Sequence, residues 1–119
     1  MEYILFLGET ESREIIMPGD PGFDEYMASW TAYNQKLIDG GHWISGGRLQ
    51  PTATATTIRR TAGKDTIVDG PFAETKEQLG GYYIISAADL DKALALAAGM
   101  PFTDAVIEVR PIAFRPDAP

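Results

Sequence analysis

The stretch YYIISAADLDKALALAAGMPFTDAVIEVRPI, residues 82–112, decides the fold. Its first five residues are aromatic and β-branched apart from one serine, a composition that suits a strand. Ser86 followed by Asp89 resembles a capping box at a helix start. Leu90, Ala93, Leu94 and Ala97 then recur at the spacing of one helical face, and Gly99 and Pro101 stop the helix. DAVIEVRPI, residues 104–112, returns as a strand. The segment therefore predicts strand, helix and strand in immediate succession.

The N-terminal half repeats that order. EYILFLG, residues 2–8, is a short apolar run closed by Gly and predicts a strand buried on both faces. Residues 9–20 read as a loop ending in MPGDPG, where Asp20 can cap a helix with Pro21 at its first position. From there Phe23, Tyr26, Met27, Trp30, Tyr33, Leu37 and Ile38 fall on one helical face, and Gly40-Gly41 ends it. HWISGGRL, residues 42–49, predicts a strand weakened by its glycines and broken off by Pro51. Between the halves, TATATTIRRTAGKDTIVDG predicts a hairpin turning at Ala62-Gly63-Lys64. With the hairpin set aside, the order is the split βαβ arrangement: an α+β, ferredoxin-like βαββαβ domain with an inserted β-hairpin. One domain spans 1–119, with a tail expected to fray from about residue 113. Two helices on one face leave the opposite sheet face in need of cover, so a homodimer is expected.

Composition narrows the functions available. The 119 residues carry a net charge of −7, which disfavours nucleic acid and anionic membranes as partners. The absence of cysteine excludes thiolate catalysis, disulfides and cysteine-based metal sites. No apolar run approaches the roughly 20 residues that cross a bilayer, and the N-terminus lacks the features of a signal peptide, so the cytoplasm is the expected compartment. No phosphate loop, dinucleotide fingerprint, nucleophile elbow or metal signature is present, and no cofactor is expected.

The candidate polar groups cluster in DGPFAETKEQLGG, residues 69–81. Asp69 precedes Gly70-Pro71, where its side chain either bonds backbone amides in a turn or serves as a base. Thr75 with Gln78 matches a capping box, and Gly80-Gly81 releases the chain into the next strand. Glu74, Lys76 and Glu77 form either a solvated charge cluster or the rim of a pocket, in which two carboxylates near a lysine would divide acid and base roles. His42, the single histidine, lies beside Trp43 as a packed residue or a ligand contact. Arg48 either faces solvent or holds an anion. Trp30 and Tyr33 read as core residues or as the wall of a cavity. Glu108 and Arg110 share one side of the last strand, as an ion pair or as part of a polar cavity.

DGPFAETKEQLGGYYII, with PTATATTIR upstream and IEVRPI at the end, closely resembles the DGPF family, a branch of the YCII-related proteins. The resemblance runs from YILFLG to VRPI. It implies a dimeric α+β barrel of ferredoxin-like protomers, similar to muconolactone isomerases. One such relative is a chloro-hydroxymuconolactone dehalogenase, which implies lactone or small oxo-acid chemistry. DGPF proteins are often encoded beside extracytoplasmic-function sigma factors, which implies a regulatory or accessory role. The YCII branch is credited with a helix-borne histidine and a nearby aspartate. Here Trp30 stands near the histidine position, Asp39 near the aspartate, and His42 in the next strand, so that pair does not carry over. The positions that match the DGPF motif are Asp69, Gly70, Pro71, Phe72, Glu74, Lys76, Glu77, Gly80 and Gly81.

Two functions follow as expectations. The first is a small-molecule acid–base enzyme, with Asp69 and Glu74 moving protons. Trp30, His42, Arg48, Phe72 and Lys76 would then contact a small anionic metabolite. The alternative is a non-catalytic ligand-binding or regulatory module whose acidic surface meets a sigma factor. A third reading gives the motif to dimer assembly, with Phe72 buried across the interface and Asp69 holding a turn.

Overall fold

A computed structural model describes residues 1–9, 18–73, 77–102 and 104–116. The order is β1 (Glu2–Glu9), α1 (Phe23–Asp39), β2 (Trp43–Arg48), a short 3-10 turn (Thr52–Thr54), β3 (Thr56–Thr61), β4 (Lys64–Asp69), β5 (Gln78–Ser86), α2 (Leu90–Ala98) and β6 (Val106–Pro111). Strands β2, β5, β1 and β6 form one sheet in that spatial order, every pair antiparallel. That order is the ferredoxin-like arrangement the sequence predicts. Among the described residues, strands β3 and β4 pair with each other alone, as a separate two-stranded sheet.

The core lies between the sheet and both helices. Tyr3, Leu5 and Leu7 of β1 and Tyr83 and Ile85 of β5 point to one side, where Tyr33 and Leu37 of α1 and Ala93 and Ala97 of α2 meet them. Strand β1 is therefore buried on one face and half-buried on the other, not buried on both as its apolar run predicts. The expected face of α2 is also corrected. Ala93 and Ala97 face the core with Leu96 packed beside them, while Leu90 and Leu94 are exposed. Tyr33 donates its hydroxyl to the Leu96 carbonyl at 2.6 Å, which ties one helix to the other.

The helix ends differ in chemistry. At α2 the cap is Asp89, whose carboxylate accepts from the Lys92 amide at 2.9 Å, with no part for Ser86. At α1 the cap position is Gly22, which offers no side-chain oxygen, in place of the expected Asp20. Acidic Asp24 and Glu25 in the first turn instead complement the helix dipole.

On the outer sheet face, Glu108 pairs with Arg110, whose guanidinium stands 5.6 Å over the Phe6 ring. These two residues are thus a surface ion pair that shelters an aromatic side chain. The tail is tied down further than expected. Ile112 donates its amide to the Glu2 carbonyl at 2.9 Å, and Arg115 grips the Glu2 carboxylate through two bonds of 2.9 and 3.0 Å. The hairpin turns at Ala62-Gly63, both with positive φ (51° and 78°), the signature of a type I′ turn that matches strand twist. No helix among the described residues is long and apolar enough to cross a membrane.

Candidate functional site

A cavity of about 270 Å³ opens between α1 and the β2–β5 side of the sheet. Its walls follow from two local sequence features. Along α1, Tyr26, Trp30 and Asn34 succeed one another at four-residue steps, so they form a stripe beside the Tyr33–Leu37 core face. Along the strands, two glycine pairs, Gly46-Gly47 and Gly80-Gly81, form a floor without side chains. The register sets Gly46 opposite Tyr83, Gly47 opposite Tyr82 and Arg48 opposite Gly81.

Steric contacts show why glycine stands there. A Cβ on Gly46 would lie 2.8 Å from the Trp43 ring, and one on Gly81 would lie 2.9 Å from the Gly47 carbonyl oxygen. Glycine inside a strand usually weakens it and marks a place where something approaches closely. Here the approaching groups are the indole of Trp43 and the neighbouring backbone. The space above them is the cavity.

The aromatic groups lock one another in place. Tyr83 stands edge-on to Trp43 at 5.3 Å, and Trp30 stands edge-on to Phe102 at 4.8 Å. Such geometries satisfy ring quadrupoles and hold the walls in fixed positions. Trp30 Nε1 is buried without a hydrogen-bond partner among the described residues, a local cost to stability. The Tyr83 hydroxyl donates to Asn34 Oδ1, which leaves the Asn34 Nδ2 as the group's remaining donor. Burial pushes the Tyr83 phenol up in pKa, against the opposing pull of its Asn34 bond, so it stays protonated at neutral pH.

Two charged side chains line this otherwise apolar space: Arg48 at the end of β2 and Glu9 at the end of β1. Neither forms an ion pair or hydrogen bond among the described residues. The arrangement offers a guanidinium for an anion, a carboxylate that can take or give a proton, and an amide and a phenol as neutral hydrogen-bonding groups.

Of the residues singled out from sequence, Trp30 and Arg48 lie together in the cavity. His42 lies outside its lining. Its Nδ1 meets the Ser86 carbonyl at 2.8 Å, and its ring packs where a Cβ on Gly40 would go, 2.7 Å away. Asp69 is exposed at the end of β4, opposite Thr56. Phe72 is 73% exposed, and its carbonyl accepts from Arg59 at 2.7 Å. Asp39 bonds Gln35 on the exposed side of α1. Glu74 and Lys76, with the proposed Thr75 cap, lie outside the described residues. Gly80 and Gly81 stand within β5, which begins at Gln78, so they are strand residues and not its approach.

Sequence reasoning passed over Glu9, Asn34, Trp43 and Tyr83. Asn34 carried a usable signal, a polar residue four positions after Trp30 on an aromatic helix face. The paired glycines in two strands carried another. Among the described residues, no three His, Cys, Asp or Glu side chains gather where a metal ion could sit.

A sequence model of the YCII-related domain matches residues 1–114. An uncharacterized protein of Rhizobium meliloti (strain 1021) is 43% identical over 94 residues, a match covering 76% of this chain and 75% of that protein.

Proposed function

The chain belongs to the YCII-related domain family, and on that premise we propose that it is a small-molecule enzyme of the acid–base kind whose substrate is a compact organic anion. The observation that carries this reading is the cavity itself, apolar and aromatic in its walls with a few convergent polar groups. Its 270 Å³ equals about nine water volumes, which suits a ligand on the order of ten heavy atoms. Arg48 would hold the anionic end, and the aromatic walls would exclude water from the rest. Glu9 is the carboxylate within reach of such a ligand, in the proton-moving role expected of Asp69 and Glu74. Asn34 Nδ2, the donor left while Asn34 Oδ1 accepts from Tyr83, suits hydrogen bonding to a carbonyl or developing oxyanion. Tyr83, kept protonated by burial, orients that amide and does not remove a proton.

The test is a panel of small carboxylates and lactones, scored by thermal shift and calorimetry, then by turnover. Arg48→Ala should weaken binding of an anionic hit by tenfold or more, about 1.4 kcal/mol. Glu9→Gln should leave binding within about threefold and lower turnover on the order of a hundredfold. If Glu9→Gln leaves turnover intact, Glu9 does not move the proton and that assignment fails; if hits bind without turning over, the protein is a ligand-binding module. If no anion binds and Arg48→Ala changes nothing, the cavity reading fails altogether.

The protein is also proposed to work as a homodimer through its outer sheet face. Ile4, Phe6, Tyr82 and Ile84 lie there half-buried with no layer over them among the described residues. A second sheet is the simplest cover for such a face.

A further inference from the structure

Among the described residues, the β3–β4 hairpin has no layer packed over it. Ile58 and Ile67 face each other across the two strands and are 61% and 72% exposed. The opposite face carries Val68 beside Thr57, with Val68 43% exposed. Every residue of β4 is exposed, and all of β3 except Thr57. A lone two-stranded hairpin is at best marginally stable in water. The chain as a whole is correspondingly extended. Its radius of gyration is 16.4 Å, against about 13.5 Å for a compact domain of this length.

Charge divides the same way. Residues 56–69 hold Arg59, Arg60 and Lys64 against Asp65 and Asp69, a net +1, so the remainder of the chain carries −8 of the total −7. Arg60 is neutralised within the hairpin by Asp65 at 2.5 Å. Among the described residues Arg59 reaches the Phe72 carbonyl and no carboxylate, and Lys64 stands at the turn. The hairpin is thus apolar and weakly basic, while the body is strongly acidic. Exposed Asp24 and Glu25 open α1, and exposed Asp89 and Asp91 open α2.

We propose that the β3–β4 hairpin is an arm that packs against the acidic body of a second copy of this chain, burying Ile58 and Ile67. A two-fold axis lets each copy give and receive one arm, so the contact closes as a dimer without propagating. The arm's own charge excess favours the body of a partner over another arm, which selects the arm-to-body contact. This surface is distinct from the outer sheet face, and each can be lost without the other.

Sedimentation equilibrium on the full chain separates the possibilities. Ile58→Thr/Ile67→Thr keeps strand propensity while removing apolar area, and Arg59→Glu/Lys64→Glu reverses the charge. Each double variant should raise the dimer Kd by tenfold or more while leaving the helical circular dichroism and the cavity ligands unchanged. Raised salt should weaken the wild-type dimer. Amide hydrogen exchange gives an independent readout, with residues 56–69 protected at high protein concentration and fast-exchanging on dilution. A wild-type chain that stays monomeric overturns the proposal. So does a dimer whose Kd both variants leave unchanged, or a hairpin equally unprotected at all concentrations.

Discussion

Strands β1 and β4 both hold apolar strand-forming residues, and these residues meet opposite fates. Both carry strand-forming side chains, Tyr3, Ile4 and Phe6 in β1 and Thr66, Ile67 and Val68 between charged residues in β4, and both lie in antiparallel pairs. Tyr3, Leu5 and Leu7 of β1 are nevertheless sealed under two helices, while Ile67 and Val68 of β4 face outward. The difference is cover. In the body, βαβ connections lay helices across one sheet face; in the hairpin, a two-residue turn returns the chain at once, and no described residue is left to pack on it. Strand-forming residues secure a strand, and only the neighbouring layer decides whether the strand contributes a core.

The largest expected effect tests that contrast directly. Ile85 is completely buried, and Ile85→Ala should cost about 3–4 kcal/mol and lower the melting midpoint by more than about 10 °C. Ile67→Thr should change the stability of the dissociated chain by less than about 0.5 kcal/mol. Urea denaturation at low protein concentration measures both. Comparable losses would mean that the hairpin packs on its own body in solution.

Within the body, the glycine pairs allow a finer comparison between adjacent positions. A Cβ on Gly81 would press on backbone, the Gly47 carbonyl oxygen, which has no rotamer by which to yield. Gly81→Ala should therefore cost about 1–3 kcal/mol and spoil ligand binding by forcing β2 from β5. A Cβ on Gly80 meets only the Leu7 carbonyl at an ordinary 3.8 Å, so Gly80→Ala should be nearly neutral. Equal penalties at the two sites would contradict a cavity floor built by close strand approach.

These glycines also show how far the sequence is legible. Periodicity and stop signals placed both helices and every strand of the body, because those patterns report the alternation of covered and uncovered faces. The topology followed from element order. The sequence missed which face of α2 packs, since alanines and leucines share a stripe. It also drew attention to residues 69–77 as the chemical centre, since charge density is visible in a linear reading. The cavity instead joins Glu9, Asn34, Arg48 and Tyr83 from four elements, and is made partly by side chains that are missing. Space of that kind has little linear signature. The residues that identify the family most sharply stand around the hairpin's root, while those that line the cavity are scattered along the chain.

Titration distinguishes the body from the hairpin as well. Burial, with a smaller contribution from Tyr83, pushes the Tyr33 phenol up to about 12 from its ordinary 10.0. A raised folded-state pKa gives stability that is complete below pH 10 and is lost as pH climbs towards 12. The loss should not exceed about 2 kcal/mol, because the shift is partly screened by solvent. Tyr33→Phe should remove that part of the alkaline slope, at a neutral-pH cost of about 1 kcal/mol for the lost bond to Leu96. Denaturation at intervals from neutral to alkaline pH would show it, and an unchanged slope in the variant would shift the alkaline sensitivity to Tyr83.

The smallest effect belongs to the hairpin and has the opposite sign. The Arg60 guanidinium, bonded through 2.5 and 2.9 Å contacts, holds the Asp65 carboxyl below its ordinary 3.8. A depressed pKa gives stability that is present above about pH 3.8 and lost as pH falls through the lowered value. Both side chains are exposed, so water and salt screen the pair, and its loss should leave global stability unmoved. What should change is local. Acidification, or Arg60→Gln at neutral pH, should speed amide exchange in residues 56–69 while exchange in β1 and β5 stays constant. Carbon-detected titration of Asp65 should give a midpoint under 3.8 that returns towards it in Arg60→Gln. Burial in the body moves a proton equilibrium by excluding water, whereas the hairpin, lacking cover, moves one only through a single ion pair. If breaking that pair also lowered the unfolding midpoint of the whole dissociated chain, hairpin and body would be one cooperative unit, and the hairpin's independence would have to be given up.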